Sequence, residues 1–174
     1  MDFKKFLLDN HKTISDQWFQ SIVGTYQEEG AKFFGGSSNQ FANPAGHTFR
    51  VNIEKMYLAL VKEWSVDTCS KDLDGILRIR AVQGFSPSVA LSFLPALKEI
   101  VYRELLKGGQ VEAAGAILHD WNNLIDRLTM LGFDLYVTCR ETLWQQKANQ
   151  LYSRTHKLLE KANLIRNVDE EVAG

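Results

Sequence analysis

The residues of this chain best suited to chemistry are four histidines, two cysteines and a short acidic run, and their spacing limits what they can do. His11, His47, His119 and His156 are scattered, with no pair at the short spacing of a two-ligand metal site. His119 stands beside Asp120 and Trp121 on an apolar helical seam, so it reads either as an axial haem ligand in an all-α pocket or as a histidine at a helix surface or core edge. The second reading is favoured, and neither a metal nor a cofactor is expected. Cys69 and Cys139 form no C-x-x-C motif and no Cys/His ligand set, and they read as reduced thiols of a cytosolic protein. Asp72-Leu73-Asp74-Gly75 is similar to the start of a calcium loop, but a third ligand before the glycine is missing and position 12 is Gln83 where such a loop has Glu. Gly35-Gly36-Ser37-Ser38 lacks the Gly-Lys-Ser/Thr that completes a phosphate-cradling loop. With no G-x-S-x-G elbow and no H-E-x-x-H pair, no catalytic residue can be named.

The elements that would position such residues are helical. The chain has 174 residues, 45% of them hydrophobic, enough for one domain with a sizeable core. Twenty Lys and Arg against 21 Asp and Glu give a net charge of −1, which excludes wrapping of nucleic acid or docking on anionic lipid as its main business. Only three prolines interrupt a chain rich in helix formers. The opening residues 1–10 contain lysines but no apolar run of signal-peptide length. The best apolar stretch, 89–97, contains Pro95 and is about half the roughly 20 residues a membrane span needs. The expected location is the cytoplasm, without membrane insertion.

Periodicity locates the helices. Phe3, Phe6 and Leu7 suit a short amphipathic helix, and Ile14, Trp18, Phe19, Ile22, Val23 and Tyr26 predict a helix over 13–27. Glycines, serines and Pro44 break the period over 28–44, a loop that Phe33, Phe34 and Phe41 should anchor to the body. Phe49, Ile53, Met56, Tyr57, Leu60, Val61 and Trp64 predict a helix over 46–64, and Leu73, Ile76, Leu77 and Val82 another that Gly84 ends. Ser86-Pro87 restarts the chain as N-cap and first helical residue of a helix running to about Leu106. Pro95 then falls inside that helix and should kink it, as a bend around a neighbour rather than as the wall of a cavity.

From Gln110 onward one very long helix, or two collinear ones, is expected. Ile117, Trp121, Leu124, Leu128, Leu131 and Leu135 form one stripe. Trp144, Ala148, Leu151, Thr155, Leu158, Ala162 and Ile165 form a second, out of phase with the first, which places a kink or domain edge near Glu141. The expected division is a domain over 1–143 and a helical extension with a short acidic tail over 144–174. Residues 140–166 carry six basic side chains against two acidic ones, and Lys147, Arg154 and Lys161 recur every seventh residue along one edge of the seam. This row is expected to be the solvated flank of a pairing helix, not a nucleic-acid site. Nothing alternates as a strand, so the fold class is all-α, with about six helices and a long C-terminal one.

Three segments carry a family resemblance: Glu29-Gly30-Ala31-Lys32-Phe33 leading into Phe41-Ala42-Asn43-Pro44-Ala45-Gly46-His47-Thr48; Arg78-Ile79-Arg80-Ala81-Val82-Gln83-Gly84-Phe85-Ser86-Pro87-Ser88; and Phe133-Asp134-Leu135-Tyr136-Val137-Thr138-Cys139-Arg140-Glu141. In this order they resemble the N-terminal domain of the RsbR-type co-antagonists, over roughly residues 5–145. The resemblance implies a globin-like helical fold that usually carries no haem, forms a dimer and serves as a signal-input module of stressosome proteins. In those proteins the last helix leads to a STAS domain that helps to sequester the kinase RsbT; here the chain ends at Gly174 without one. The resemblance also places the proximal haem position on the helix over about 70–84, which has no histidine.

Two functional readings follow. The first is a non-enzymatic sensory or regulatory module, homodimeric through Trp144, Ala148, Leu151, Thr155, Leu158 and Ile165, with a signalling protein as partner. The alternative is a ligand sensor whose apolar core pocket, walled by Phe85, Phe93, Trp121, Phe133 and the bend at Pro95, takes haem or a lipid-like molecule.

Overall fold

Three side-chain caps fix where helices begin, and each lies at the position where a polar oxygen can satisfy an amide that has no carbonyl partner of its own. Asp2 accepts from the Lys5 amide at 3.0 Å and opens α1, Phe3–Asp9. Asn43 accepts from the Gly46 amide at 2.9 Å and, with Pro44 in the first turn, opens α3, Pro44–Glu63. Ser86 does the same for Val89 at the start of α5, Pro87–Leu91. The remaining helices are α2, His11–Val23; α4, Ser70–Val82, entered through a 3-10 turn at Asp67–Cys69; α6, Phe93–Lys107; and α7, Val111–Lys161. This structure is a computed structural model that describes residues 2–27, 30 and 43–162, and among these the fold is all-α, without strands, and ends in one long helix. The loop expected over 28–44 falls almost wholly outside the described residues.

Two compact units divide the chain, Met1–Cys139 and Arg140–Gly174. In the first, α2 packs against both α3 and α6, and α3 against α4. Polar ties cross these contacts where a side chain can reach a neighbouring element. The Trp18 indole donates to the Phe93 carbonyl at 2.7 Å, Tyr57 donates to the Leu7 carbonyl at 2.9 Å, and Gln17 donates to Glu104 at 2.7 Å. Lys98 and Asp126 join α6 to α7 at 2.5 Å. The apolar faces read from the period of α2 and α3 are buried: Ile14, Trp18, Phe19, Ile22, Phe49, Ile53, Met56, Tyr57 and Leu60 all lie in the core. Trp64 ends α3 in the left-handed region at φ 53°, an unusual conformation for a bulky residue. Its ring packs 6.2 Å from that of Phe3 and 5.6 Å from that of Trp121, contacts that hold it there.

The segment after Ser86 differs from the single kinked helix that its sequence predicts. The chain breaks at Ser92, and Pro95 becomes the third residue of α6. In that turn an amide has no intrahelical acceptor, so the missing proline N–H costs nothing and no mid-helix kink forms. The Ser92 hydroxyl donates to the Val89 carbonyl at 2.9 Å and satisfies one of the acceptors that the break exposes.

The seam of α7 within the first unit is rotated from its predicted phase. Trp121, Leu124 and Leu128 are buried, but the next core residues are Gly132, Tyr136 and Cys139, whereas Leu131 and Leu135 are half-buried and Ile117 is exposed. A straight helix with 3.6 residues per turn drifts away from a strict seven-residue stripe, and the choice of Gly132 over Leu131 follows from space. A Cβ at Gly132 would lie 2.6 Å from Leu94 Cδ1 and 3.2 Å from Leu91 Cδ2. The backbone is non-helical at Gly115, with φ 42° and ψ −126°, and α7 passes residue 141 with helical dihedrals.

Candidate functional site

The residues predicted to pair two copies of the chain lie on the last turns of α7, inside the second unit. Trp144, Leu151 and Leu158 are 61%, 68% and 67% exposed, and Ala148, Thr155 and the neighbouring Tyr152 are exposed as well. They recur at steps of four and three, so the helix presents them as one apolar row. Ile165 lies outside the described residues. Polar side chains beside the row bond along the helix. Gln145 donates to Asn149 at 3.1 Å, His156 stands 3.5 Å from Glu160, and the Lys147 ammonium lies 5.4 Å from the centre of the Trp144 ring. Together Trp144, Leu151 and Leu158 form an exposed apolar row on one side of the helix.

His119 lies on the exposed face of α7. An axial haem ligand needs apolar walls around the metal, and an exposed imidazole has none on its solvent side. The four aromatic residues predicted to wall a core pocket are dispersed instead. Phe93 packs 6.1 Å from Trp18, Trp121 lies among Phe3 and Trp64, Phe85 is half-buried, and Phe133 is 45% exposed. A cavity of about 630 Å³ lies elsewhere, between α1 and the α6–α7 turn, lined by Asp2, Lys5, Asp9, Glu104, Lys107 and neighbours. Its charged lining suits water better than lipid. Cys69 is buried, and desolvation, with the nearby Asp72 and Glu63 carboxylates adding to it, pushes its thiol up to about 12. Cys139 is raised too, by burial first and then by Asp74, to which its thiol donates at 3.6 Å. Both are poor nucleophiles at neutral pH. Among the described residues no cluster of His, Cys, Asp and Glu could hold a metal ion, and no helix is long and apolar enough to cross a membrane.

A second cluster escaped the reading of motifs. Arg80, near the end of α4, is fully buried. One of its terminal nitrogens, Nη2, donates to the Thr25 hydroxyl and to the Val89 carbonyl, each at 2.9 Å. The guanidinium lies 4.4 Å from the centre of the Phe85 ring and 5.6 Å from that of Tyr26, which meet each other edge to face at 5.1 Å. Tyr26 donates to Gln83 at 2.7 Å, and Tyr136 donates to the Phe85 carbonyl. Burial lowers the Arg80 pKa, while the adjacent Tyr26 and Tyr136 oppose the shift; the same burial raises that of Tyr26. As a motif, Arg80 has no distinction from Arg78, two residues before it. Arg78 is exposed and bonds Asp74 at 2.5 Å one turn back along α4. The signal that was present is helical phase, since Arg80 follows Leu73, Ile76 and Leu77 on the buried face.

No curated protein and no solved structure matches this chain. A family model does, that of the RsbT co-antagonist protein rsbRD N-terminal domain, over residues 12–151. That span contains the buried helical core apart from α1, the Arg80 cluster, and Trp144, Ala148 and Leu151 of the exposed row. This chain belongs to the rsbRD N-terminal domain family.

Proposed function

We propose that this protein is a non-enzymatic signal-input module that acts by self-association and by contact with a signalling protein. The family supports the input role, as its description names the N-terminal domain of a co-antagonist of RsbT. The observation that carries the reading is the exposed row of Trp144, Leu151 and Leu158 on α7, the helix whose earlier turns bury Trp121, Leu124, Leu128 and Tyr136 in the first unit. One helix therefore belongs both to the core that would respond to a signal and to the surface that would report it. Ala148 and Thr155 make the row a thin seam, and a thin seam pairs weakly, which suits a contact that must form and release. A partner of the kind that the family's description names would complete the output.

Replacing Leu151 and Leu158 together by Asp places two charges in the proposed contact. The expected result is loss of the dimer in sedimentation analysis, with the helical circular dichroism unchanged, because neither side chain is buried in the folded chain. A dimer that survives both substitutions refutes the assignment of the interface.

A further inference from the structure

One edge of the exposed row on α7 carries a single sign of charge. Lys147, Arg154 and Lys161 each stand three residues after a large apolar member of the row, Trp144, Leu151 and Leu158, and so flank it on the same side. All three are exposed, and among the described residues none forms an ion pair. The other edge, one residue after each of the same apolar members, is Gln145, Tyr152 and Leu159, which carry no charge. The acids of the segment lie off both edges. Glu160 falls on the outer side of the helix, 3.5 Å from His156, and Glu141 precedes the row.

Helices that pair through such a row commonly set acids against bases along its edges, and those ion pairs loosen as salt screens them. Two copies of α7 have no acids at these positions. In an antiparallel pair the cationic edge of one copy meets the cationic edge of the other, and in a parallel pair it meets Gln145, Tyr152 and Leu159. Neither arrangement supplies a counter-charge, so the cations of the two copies repel across the seam. Successive cations are about 10 Å apart along the helix, while the screening length is about 30 Å at 0.01 M salt and about 10 Å at 0.1 M. In dilute salt each cation therefore acts on the whole row of the other copy, and in stronger salt only on its nearest neighbours. The apolar contact is thin, because Ala148 and Thr155 alternate with the large residues, and a modest repulsion is enough to tip it. We propose that ionic strength controls self-association through this row, salt favouring the dimer by screening Lys147, Arg154 and Lys161 of one copy from those of the other. The inference rests on the self-association reading above and adds the condition under which that contact forms and releases.

The test is sedimentation equilibrium of the intact chain in sodium chloride from about 0.01 M to about 0.3 M, over which the screening length falls from about 30 Å to below 10 Å. The dimer dissociation constant is expected to fall about fivefold across this range, the size of a few cation pairs at water's dielectric constant. The variant Lys147→Gln, Arg154→Gln, Lys161→Gln, whose changed side chains are all exposed, should keep its helical circular dichroism, pair about fivefold more tightly than the natural chain in dilute salt and lose the salt dependence. This variant separates screening from the general strengthening of apolar contacts by salt, which acts on both proteins alike. A dissociation constant that is flat or rises with salt overturns the proposal, including one flattened because the acids Asp169, Glu170 and Glu171 neutralise the row. An equal fall in both proteins overturns it too. A dimer with any of these profiles leaves the self-association reading standing, whereas a monomer at every salt and protein concentration removes both.

Discussion

At the scale of single residues, space and burial decide more than residue type does. Gly132 shows this on α7, where a Cβ would meet Leu94 at 2.6 Å and Leu91 at 3.2 Å. In an open helix Gly→Ala gains about 1 kcal/mol, but overpacking a full core costs about 1–3 kcal/mol. Gly132→Ala is therefore expected to lose about 1 kcal/mol in urea unfolding, and less on a Leu94→Val background; a gain in stability would contradict this packing. Cys69 gives a pH effect. Its thiol is neutral in the folded chain until about pH 12, whereas the unfolded thiol ionises near its ordinary 9.0. The stability it contributes is complete below 9 and is lost as pH rises toward 12, with a slope of about 1.4 kcal/mol per pH unit. Cys69→Ala should remove that slope from the alkaline unfolding profile, leaving the part due to Tyr57, whose pKa burial also raises; an unchanged slope would show that the thiol titrates freely. Residue chemistry was the least legible level in the sequence. Arg80 and Arg78 look alike as letters, and the phase of α4 makes one a buried cation held by Thr25 and the Val89 carbonyl and the other a surface partner of Asp74.

At the scale of elements the sequence was far more explicit, because helix caps and apolar periods are local. Ser86-Pro87 opens a helix as its types predict, Asn43-Pro44, expected as the end of a loop, opens α3 two residues before the predicted start, and the buried faces of α2 and α3 are the ones their periods predict. Local reasoning failed where two local signals compete. The pattern over 87–106 is continuous, yet the chain stops α5 at Leu91 and starts α6 at Phe93, which moves Pro95 from a helix interior to a first turn. The two arrangements differ in energy. Mid-helix proline costs about 3 kcal/mol, and its removal would stabilise by that much. In a first turn, Pro95→Ala should change stability by less than about 1 kcal/mol, slightly downward from the freedom returned to the unfolded chain. Thermal unfolding separates the two outcomes, and a gain near 3 kcal/mol would restore the kinked helix. The stripe on α7 was misplaced for a related reason: a seven-residue count cannot register the close approach of Leu94 that makes Gly132, not Leu131, the inward residue.

At the scale of the whole molecule, family and fold class were readable because three segments in fixed order and an unbroken helical pattern extend over most of the chain. The core pocket was not, since sequence can name aromatic residues but not which of them meet; Phe93 joined Trp18, and Trp121 joined Phe3 and Trp64. Among the large apolar side chains left exposed are those in the row from Trp144 to Leu158, and the account depends on that row being covered by a second copy. Two-fold pairing would bring the same row from each chain into one self-complementary contact. Native mass spectrometry of the freshly purified protein over a range of concentrations tests this most directly. The account predicts a dimer that gives way to monomer on dilution, and a monomer at every concentration would contradict it.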